Sequence, residues 1–240
     1  MSVRLYVDAA LQPDAEFDLP AAAARHVQVR RLQPADRLRL FNGQGGEWAA
    51  TVLLMGRSQV RVRVDAFDPV ERELGLAVSV ALGMPANERM DLLVEKATEL
   101  GVVSIQPLLC ERSVLRLAGD RALRKCAHWQ AIAAAAAEQC GRTRVPHVAA
   151  VQTLDAFLAQ VAEPGLRLLL SPGEGVAALH QVAAGARALL TLSGPEGGLS
   201  SAEENAAMAR GFVRTGLGER VLRAETAPLA VLAWAGLKEP

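Results

Sequence analysis

The stretch Ala188-Leu189-Leu190-Thr191-Leu192-Ser193-Gly194-Pro195-Glu196-Gly197-Gly198-Leu199-Ser200-Ser201 decides the fold class. Its first half, Ala188 to Leu192, is short, apolar and bounded by glycine, which predicts a buried strand ending at the loop. Ser200 and Ser201 stand three residues before Glu203 and Glu204, the spacing of a capping box that opens a helix. Strand, glycine loop and helix therefore follow one another. Glycines admit positive φ and let a ligand approach the main chain, while Pro195 stiffens the loop and removes one donor. Such a loop suits a small molecule held by main-chain groups, although any strand-to-helix turn also tolerates glycines.

A second constellation, Leu217-Gly218-Glu219-Arg220-Val221-Leu222-Arg223-Ala224-Glu225-Thr226-Ala227, strengthens the first. Thr226 is placed to cap a helix whose first turn holds Pro228, where proline costs little. Leu229 to Leu237 is apolar on nearly every face, the pattern of a buried rather than an amphipathic helix. Arg223, Glu225 and Thr226 then sit at the mouth of a buried element, where orphan amides face the pocket.

Working outward, strands at about 76–83, 102–109, 166–171, 188–193 and 212–215 alternate with helices, which predicts a mainly parallel α/β sheet. Ligands in such sheets bind beyond the carboxyl ends of the strands. Both signature loops lie there, and Leu170 to Gly175 supplies a third. In the helix from Glu88, Met90, Leu93, Val94, Ala97 and Leu100 form one apolar stripe ended by Gly101, which assigns that helix to core and capping. Before residues 70–75 come strand-like segments at Val3–Val7, Arg37–Phe41, Glu47–Leu54 and Gln59–Val64, with a turn at Asn42-Gly43-Gln44-Gly45-Gly46. A compact β-barrel is their simplest closure, and the charged segment Pro69–Glu73 marks the linker.

A chain of 240 residues, 51% apolar, accommodates one large domain or two modest ones. No apolar run approaches the roughly 20 residues needed to span a membrane, and the amino terminus lacks a signal-peptide core, which predicts a cytoplasmic protein. Cys110, Cys126 and Cys140 are odd in number and widely spaced, the pattern of inert thiols rather than a disulfide framework or a zinc site. His26, His128, His147 and His180 have no metal-ligand spacing, so no metal is expected. The chain contains neither G-x-G-x-x-G nor G-x-x-x-x-G-K-[ST], which argues against Rossmann dinucleotide enzymes and P-loop NTPases.

The formal net charge is zero, whereas phosphate contact normally draws on a basic surface. The distribution offsets this. Arg25, Arg30, Arg31, Arg37 and Arg39 fall close together, opposed only by Asp36, and Arg61 and Arg63 alternate with Val60, Val62 and Val64 on one face of a strand. Guanidinium groups pair with phosphate and stack on bases, although genomic base composition explains an arginine bias equally well.

GPEGGLS at 194–200, LGERVLRAETA at 217–227 and ERMDLLVEKATELGV at 88–102, with Glu138-Gln139 followed by Arg142 and Pro146, resemble the bacterial 16S rRNA uracil-N3 methyltransferases of the RsmE type. The resemblance covers almost the whole chain. It implies an α/β fold, a SPOUT-type trefoil-knot methyltransferase domain over residues 73–240, and a small amino-terminal PUA-like β-barrel over 1–72 that binds RNA. It further implies S-adenosylmethionine as donor, 16S rRNA in the small ribosomal subunit as partner, and a homodimer. The cofactor set it implies is Leu170, Ser171, Ser193, Gly194, Pro195, Glu196, Gly197, Gly198, Leu217, Gly218, Val221, Leu222, Arg223, Thr226 and Ala227. RNA contacts fall to Arg4, His26, Arg30, Arg31, Arg112 and Arg142, and catalytic roles to Arg142, Glu196, Arg223 and Glu225.

Methyl transfer from a sulfonium is an in-line displacement, so holding the acceptor nitrogen behind the methyl group supplies much of the catalysis. The proton on uracil N3 must also leave, which calls for a carboxylate base or for cationic groups that stabilise the uracil anion. Glu138 and Arg142, one turn apart, are compatible with an ordinary i,i+4 pair as well as with a role at the site. Three other functions stay open at this point: a ribose 2′-O-methyltransferase, which an Asn-x-Ser type signature would mark where this chain has Glu225-Thr226-Ala227; a non-catalytic RNA-binding assembly factor; and a small-molecule enzyme with an unrelated barrel.

Overall fold

The computed structural model describes residues 3–86, 88–161, 165–173 and 176–237. The main chain forms two compact units, Met1–Glu73 with Ala137–Val145, and Leu74–Ala136 with Pro146–Pro240. Glu174 and Gly175, the end of the third expected loop, lie outside the described residues.

The first unit contains β1 (Arg4–Tyr6), β2 (Glu16–Asp18), α1 (Ala21–Val29), β3 (Arg37–Phe41), β4 (Glu47–Met55) and β5 (Val60–Asp68). The five strands form one sheet in the order β1-β3-β4-β5-β2. β1 runs parallel to β3 and the remaining pairs are antiparallel. Alternation in β5 is as expected: Val60, Val62 and Val64 are fully buried while Arg61 and Arg63 face out. Register shifts between Ala49 and Ala50 and between Val52 and Leu54 mark bulges, which bend and twist a strand. The edge strands β1 and β2 do not pair with each other among the described residues, so the expected barrel is an open one. Ala23, Ala24 and Val27 of α1 join the core formed by Leu5, Leu38, Leu40 and Val52. Neither β2 nor α1 was expected. β2 is a single apolar residue, Phe17, between Glu16 and Asp18, and α1 starts after Pro20 without a side-chain cap, so neither carries the usual local signal.

The second unit contains β6 (Ala77–Gly83), α2 (Glu88–Glu99), β7 (Ser104–Leu109), α3 (Gly119–Cys140), β8 (His147–Val148), β9 (Gln152–Thr153) and α4 (Leu154–Gln160). It continues with β10 (Leu166–Leu170), β11 (Ala177–Ala178), α5 (Leu179–Val182), β12 (Ala188–Ser193), α6 (Ser201–Ala209), β13 (Val213–Gly216) and α7 (Thr226–Leu237). The last turn of α3 belongs to the first unit. The strands form a sheet in the order β11-β13-β10-β12-β6-β7-β8, with β9 also on β7, and every pairing is parallel. All five strands expected here are present. Met90, Leu93, Val94 and Ala97 of α2 are fully buried, and Gly101 follows the helix with φ +92°, a left-handed conformation that glycine adopts without strain.

α6 opens with the capping box between Ser200 and Glu203 that the spacing predicts. α7 departs from expectation. It buries Pro228, Val231, Leu232 and Ala235, but Leu229 and Trp234 are only half-buried and Leu237 is exposed. Helix α7 is thus apolar all round yet covered on one side only within the chain.

Candidate active site

β13, β10 and β12 are adjacent in the parallel sheet. Leu169 pairs with Leu192 and Leu170 with Thr215, so the three strands end level. Parallel strands send the loops at their carboxyl ends to one edge of the sheet. The loops starting at Ser171, Gly194 and Leu217 therefore meet, and they line a cavity of about 750 Å3. Of the expected cofactor residues, Leu170, Ser171, Ser193, Gly194, Pro195, Glu196, Gly197, Gly198, Leu217, Gly218, Val221, Leu222, Arg223 and Ala227 all line it. Thr226 does not. It is the first residue of α7, which puts the cap position at Glu225.

The glycine loop is held from three sides. The Gly198 N–H donates to the Pro195 carbonyl at 2.8 Å, closing the turn. A Cβ on Gly194 would lie 2.5 Å from the carbonyl carbon of Gly198 and 2.6 Å from the Leu199 nitrogen, so only glycine lets the loop fold back on itself here. A Cβ on Gly83, at the end of β6, would fall 2.4 Å from the Pro195 ring. Glu196 Oε1 accepts from the Ala86 N–H at 2.8 Å and from Arg89 at 3.4 Å, while Arg112 donates to the Gly197 carbonyl at 3.0 Å.

Arg89 and Arg112 both line the cavity. Arg89 was expected only as part of a structural helix, and Arg112 only as an RNA contact. Nothing in a helical repeat marks which exposed position of α2 faces a distant loop, so Arg89 had no sequence signal. The same holds for a chain of contacts on the cavity wall, where Ser171 Oγ donates to Glu204 Oε1 at 2.6 Å and Arg214 pairs with Glu204.

Two buried oxygens near the loops have no hydrogen-bond partner among the described residues, Ser193 Oγ and Glu225 Oε2. Buried polar atoms are normally satisfied, so an orphaned hydroxyl on a cavity wall is a ready contact for a bound molecule. Glu225 is 7% exposed, sits at the start of α7, and has Oε1 3.9 Å from Arg89 Nε. Leu170, Leu199, Val221 and Leu222 supply apolar surface beside the glycine main chain. Apolar walls, main-chain polar groups and a free hydroxyl fit a ligand with a flat heterocycle and a polar tail, which describes an adenosyl amino acid. Cys110, packed near Gly83, has its thiol pushed up to about 12 by burial, with the Glu203 charge adding to this, so it is inert at neutral pH.

The expected RNA and catalytic residues of the first unit occupy a different setting. Arg142 is not among the residues that line the cavity. Its side chain is 5% exposed, and it pairs with both oxygens of Glu73. Glu138 instead accepts from the Tyr6 N–H at 2.7 Å and meets His26 Nδ1 at 3.0 Å. Arg4 donates to Glu47 at 3.0 Å and to the carbonyls of Ala137, Glu138 and Arg142, with its guanidinium 3.7 Å over the Phe41 ring. Burial lowers its pKa and the Glu47 hydrogen bond opposes that shift. Arg4 and Arg142 are thus both engaged by groups of this unit in the structure. Arg30 and Arg31 are exposed and without side-chain partners among the described residues. The expected linker charges are also engaged. Glu71 accepts from Arg144 at 2.7 Å, from Thr143 at 2.9 Å and from the Gly46 N–H at 3.0 Å.

Comparison with known proteins places this geometry in a family. Residues 72–236 match an RNA methyltransferase domain family and residues 19–65 an RNA methyltransferase PUA domain family. The chain is 36% identical to a ribosomal RNA small subunit methyltransferase E of Synechocystis, over 97% of this chain and 77% of the relative. It is 30% identical to the protein of that name from Bacillus subtilis, over 90% of this chain and 88% of the relative. A crystal structure of a ribosomal RNA small subunit methyltransferase E from Neisseria gonorrhoeae, bound to S-adenosyl methionine, superposes with a TM-score of 0.92 at 32% identity, covering 100% of this chain and 98% of that one. The parallel α/β unit is thus of the SPOUT methyltransferase type and the amino-terminal sheet is PUA-like. On these matches and on its shared architecture, the chain belongs to the ribosomal RNA small subunit methyltransferase E family.

Proposed function

We propose that the protein transfers the methyl group of S-adenosylmethionine to N3 of a uracil in 16S rRNA of the small ribosomal subunit. The observation that carries this reading is the convergence of three loops from adjacent strand ends on a cavity with an orphaned hydroxyl, Ser193 Oγ. The glycine main chain at 194–198 and the run from Leu217 to Leu222 would hold the cofactor, with Leu170, Ser171 and Ala227 completing its walls. S-adenosylmethionine, when bound, supplies the electrophilic methyl group.

The remaining chemistry falls to side chains. Glu196 Oε2 has no partner among the described residues and is the carboxylate on the cavity wall best placed to take the N3 proton. Arg223, exposed on the same wall, would stabilise the uracil anion. Glu225, nearly buried beside Arg89, is a positioning charge rather than a base, because a general base must reach the proton it abstracts. The exposed arginines of α1 and the turn after it, Arg25, Arg30 and Arg31, fit a PUA-like unit that engages RNA. The half-covered apolar surface of α7 supports a homodimer, and no described helix is long and apolar enough to cross a membrane. We place the protein with ribosomes, in the cytoplasm.

Incubation with labelled S-adenosylmethionine and unmodified small subunits, followed by nuclease digestion and mass spectrometry, tests the assignment. Label on a uracil N3 is the expected result. Label on a ribose would move the protein to the 2′-O class, and absence of label despite cofactor binding would leave an RNA-binding role. Glu196→Gln is expected to slow transfer by about 10²-fold, with cofactor affinity little changed.

A further inference from the structure

Arg121, Arg124, Lys125 and His128 stand at i, i+3, i+4 and i+7 of α3, one stripe of the helix, and together line a shallow depression of about 300 Å3. Arg121, Arg124 and Lys125 have no side-chain partner among the described residues. Several other cations of this unit are matched by carboxylates of the same chain: Arg89 by Glu196, Lys96 by Glu95 and Glu99, and Arg214 by Glu204. Among the described residues one carboxylate meets the stripe, at its His128 end, and it leaves Arg121, Arg124 and Lys125 unmatched. Asp91 is taken up by His128 at 2.8 Å and by the Trp129 indole N–H at 2.9 Å, and Asp120 makes no ion pair among the described residues.

The stripe is rigidly mounted. Trp129 is fully buried and tied to Asp91, and Gln130 bonds both the Pro146 carbonyl and the Val148 N–H, which fixes α3 on its inner side. Side chains on a fixed helix lose less entropy on binding than side chains on a loop. The stripe is also joined through the chain to the cavity. Residues 111–128 carry Arg112, Arg116, Arg121, Arg124 and Lys125 against Glu111 and Asp120 alone, and Arg112 contacts the glycine loop itself. In a chain of zero net charge this stretch is a local excess of positive charge.

We propose that this α3 stripe is a phosphodiester-binding surface that grips the RNA backbone flanking the modified nucleotide, separate from the contacts of the PUA-like unit. The proposal rests on the methyltransferase reading above. Arginine favours it because the planar guanidinium pairs with two phosphate oxygens at once. Such contacts position the RNA and set affinity while carrying no base preference.

The test compares the parent protein with the triple variant R121E/R124E/K125E, and with R121Q/R124Q/K125Q should the glutamates disturb folding. Binding to small subunits is measured across a salt series, alongside S-adenosylmethionine binding and steady-state transfer. The expected result is an RNA Kd raised by about tenfold or more, and a salt dependence shallower by about 2–3, one for each lost phosphate contact. KM for RNA should rise with it, while cofactor affinity and kcat at saturating RNA stay as in the parent. Unchanged RNA affinity and salt slope in a variant whose parent methylates RNA would overturn the stripe alone. A parent that binds the cofactor but neither binds nor methylates RNA would overturn the functional reading and the stripe together.

Discussion

Two charged regions of this molecule are built from the same residue types and do opposite things. Around the cavity, Glu196 and Ser193 keep a polar atom unpaired, and the loop glycines leave main chain uncovered. In the first unit, Glu47 gathers Arg4 with Arg39 and Arg72, Glu73 holds Arg142, and Glu71 holds Arg144, so guanidinium and carboxylate neutralise one another. The difference teaches that an arginine's place in a motif says little about its role until its partner is known. Where the partner is a buried carboxylate of the same chain, the residue holds the fold. Where polar atoms are left over, the chain is prepared for something else.

The sharpest break between the two regions is Arg142→Ala. It would strand the Glu73 carboxylate, whose side chain is only 19% exposed, and breaking a largely buried pair costs about 3–5 kcal/mol. Denaturant unfolding should register that loss while cofactor affinity of the folded fraction is retained. Replacing both partners together, Arg142→Met with Glu73→Leu, should recover much of it, because no uncompensated charge remains. A variant with parental stability but no transfer would return Arg142 to the catalytic group.

Gly194→Ala attacks the other region. Its Cβ would meet main-chain atoms of Gly198 and Leu199 at 2.5–2.6 Å, so the loop must shift. A displacement of that order is expected to weaken S-adenosylmethionine binding by about 10²-fold, read by calorimetry, with a smaller change in Tm. Ser200→Ala removes the capping box of α6 without touching the glycines, and a loss of about 1 kcal/mol is expected on thermal unfolding. Equal losses of cofactor affinity from Gly194→Ala and Ser200→Ala would show that the loop's order depends on α6 rather than on its own turn.

The smallest effect concerns Glu71. Burial alone would raise its pKa, but hydrogen bonds from Arg144, the Gly46 N–H and Thr143 outweigh it and hold the carboxyl below its ordinary value. A group depressed in the folded state stabilises above its unfolded pKa and loses that contribution as pH falls through the folded one. The stability gap between the parent and Glu71→Gln should therefore be full at neutral pH and close in acid. A gap that is constant with pH would mean that Glu71 acts through packing and not through charge.

How much of this was legible beforehand depended on the range of the interaction. The capping box at Ser200, the glycine after α2, the valine and arginine alternation of β5 and the five strands of the parallel sheet are local patterns, and each appears where it was expected. α1 and β2 escaped because one lacks a capping side chain and the other is a single apolar residue, Phe17, between Glu16 and Asp18. Arg89, Glu204 and Arg214 escaped for a different reason. The contacts of Arg89 to Glu196, Ser171 to Glu204 and Arg214 to Glu204 cross from 10 to 107 residues of sequence, and no periodicity records such a pairing.

The sequence by itself determined the periods of its helices and strands, the glycine loops at strand ends and hence the edge of the sheet where a ligand would bind, because these follow from local sterics, hydrogen bonding and apolar patterning. The tertiary structure alone decided which charges cancel and which stay available, that Arg4 meets Glu47 and Arg142 meets Glu73, that Arg89 reaches Glu196, and that α7 is covered on one side only. Electrostatic pairing and burial depend on distance in space, and only the folded chain sets those distances.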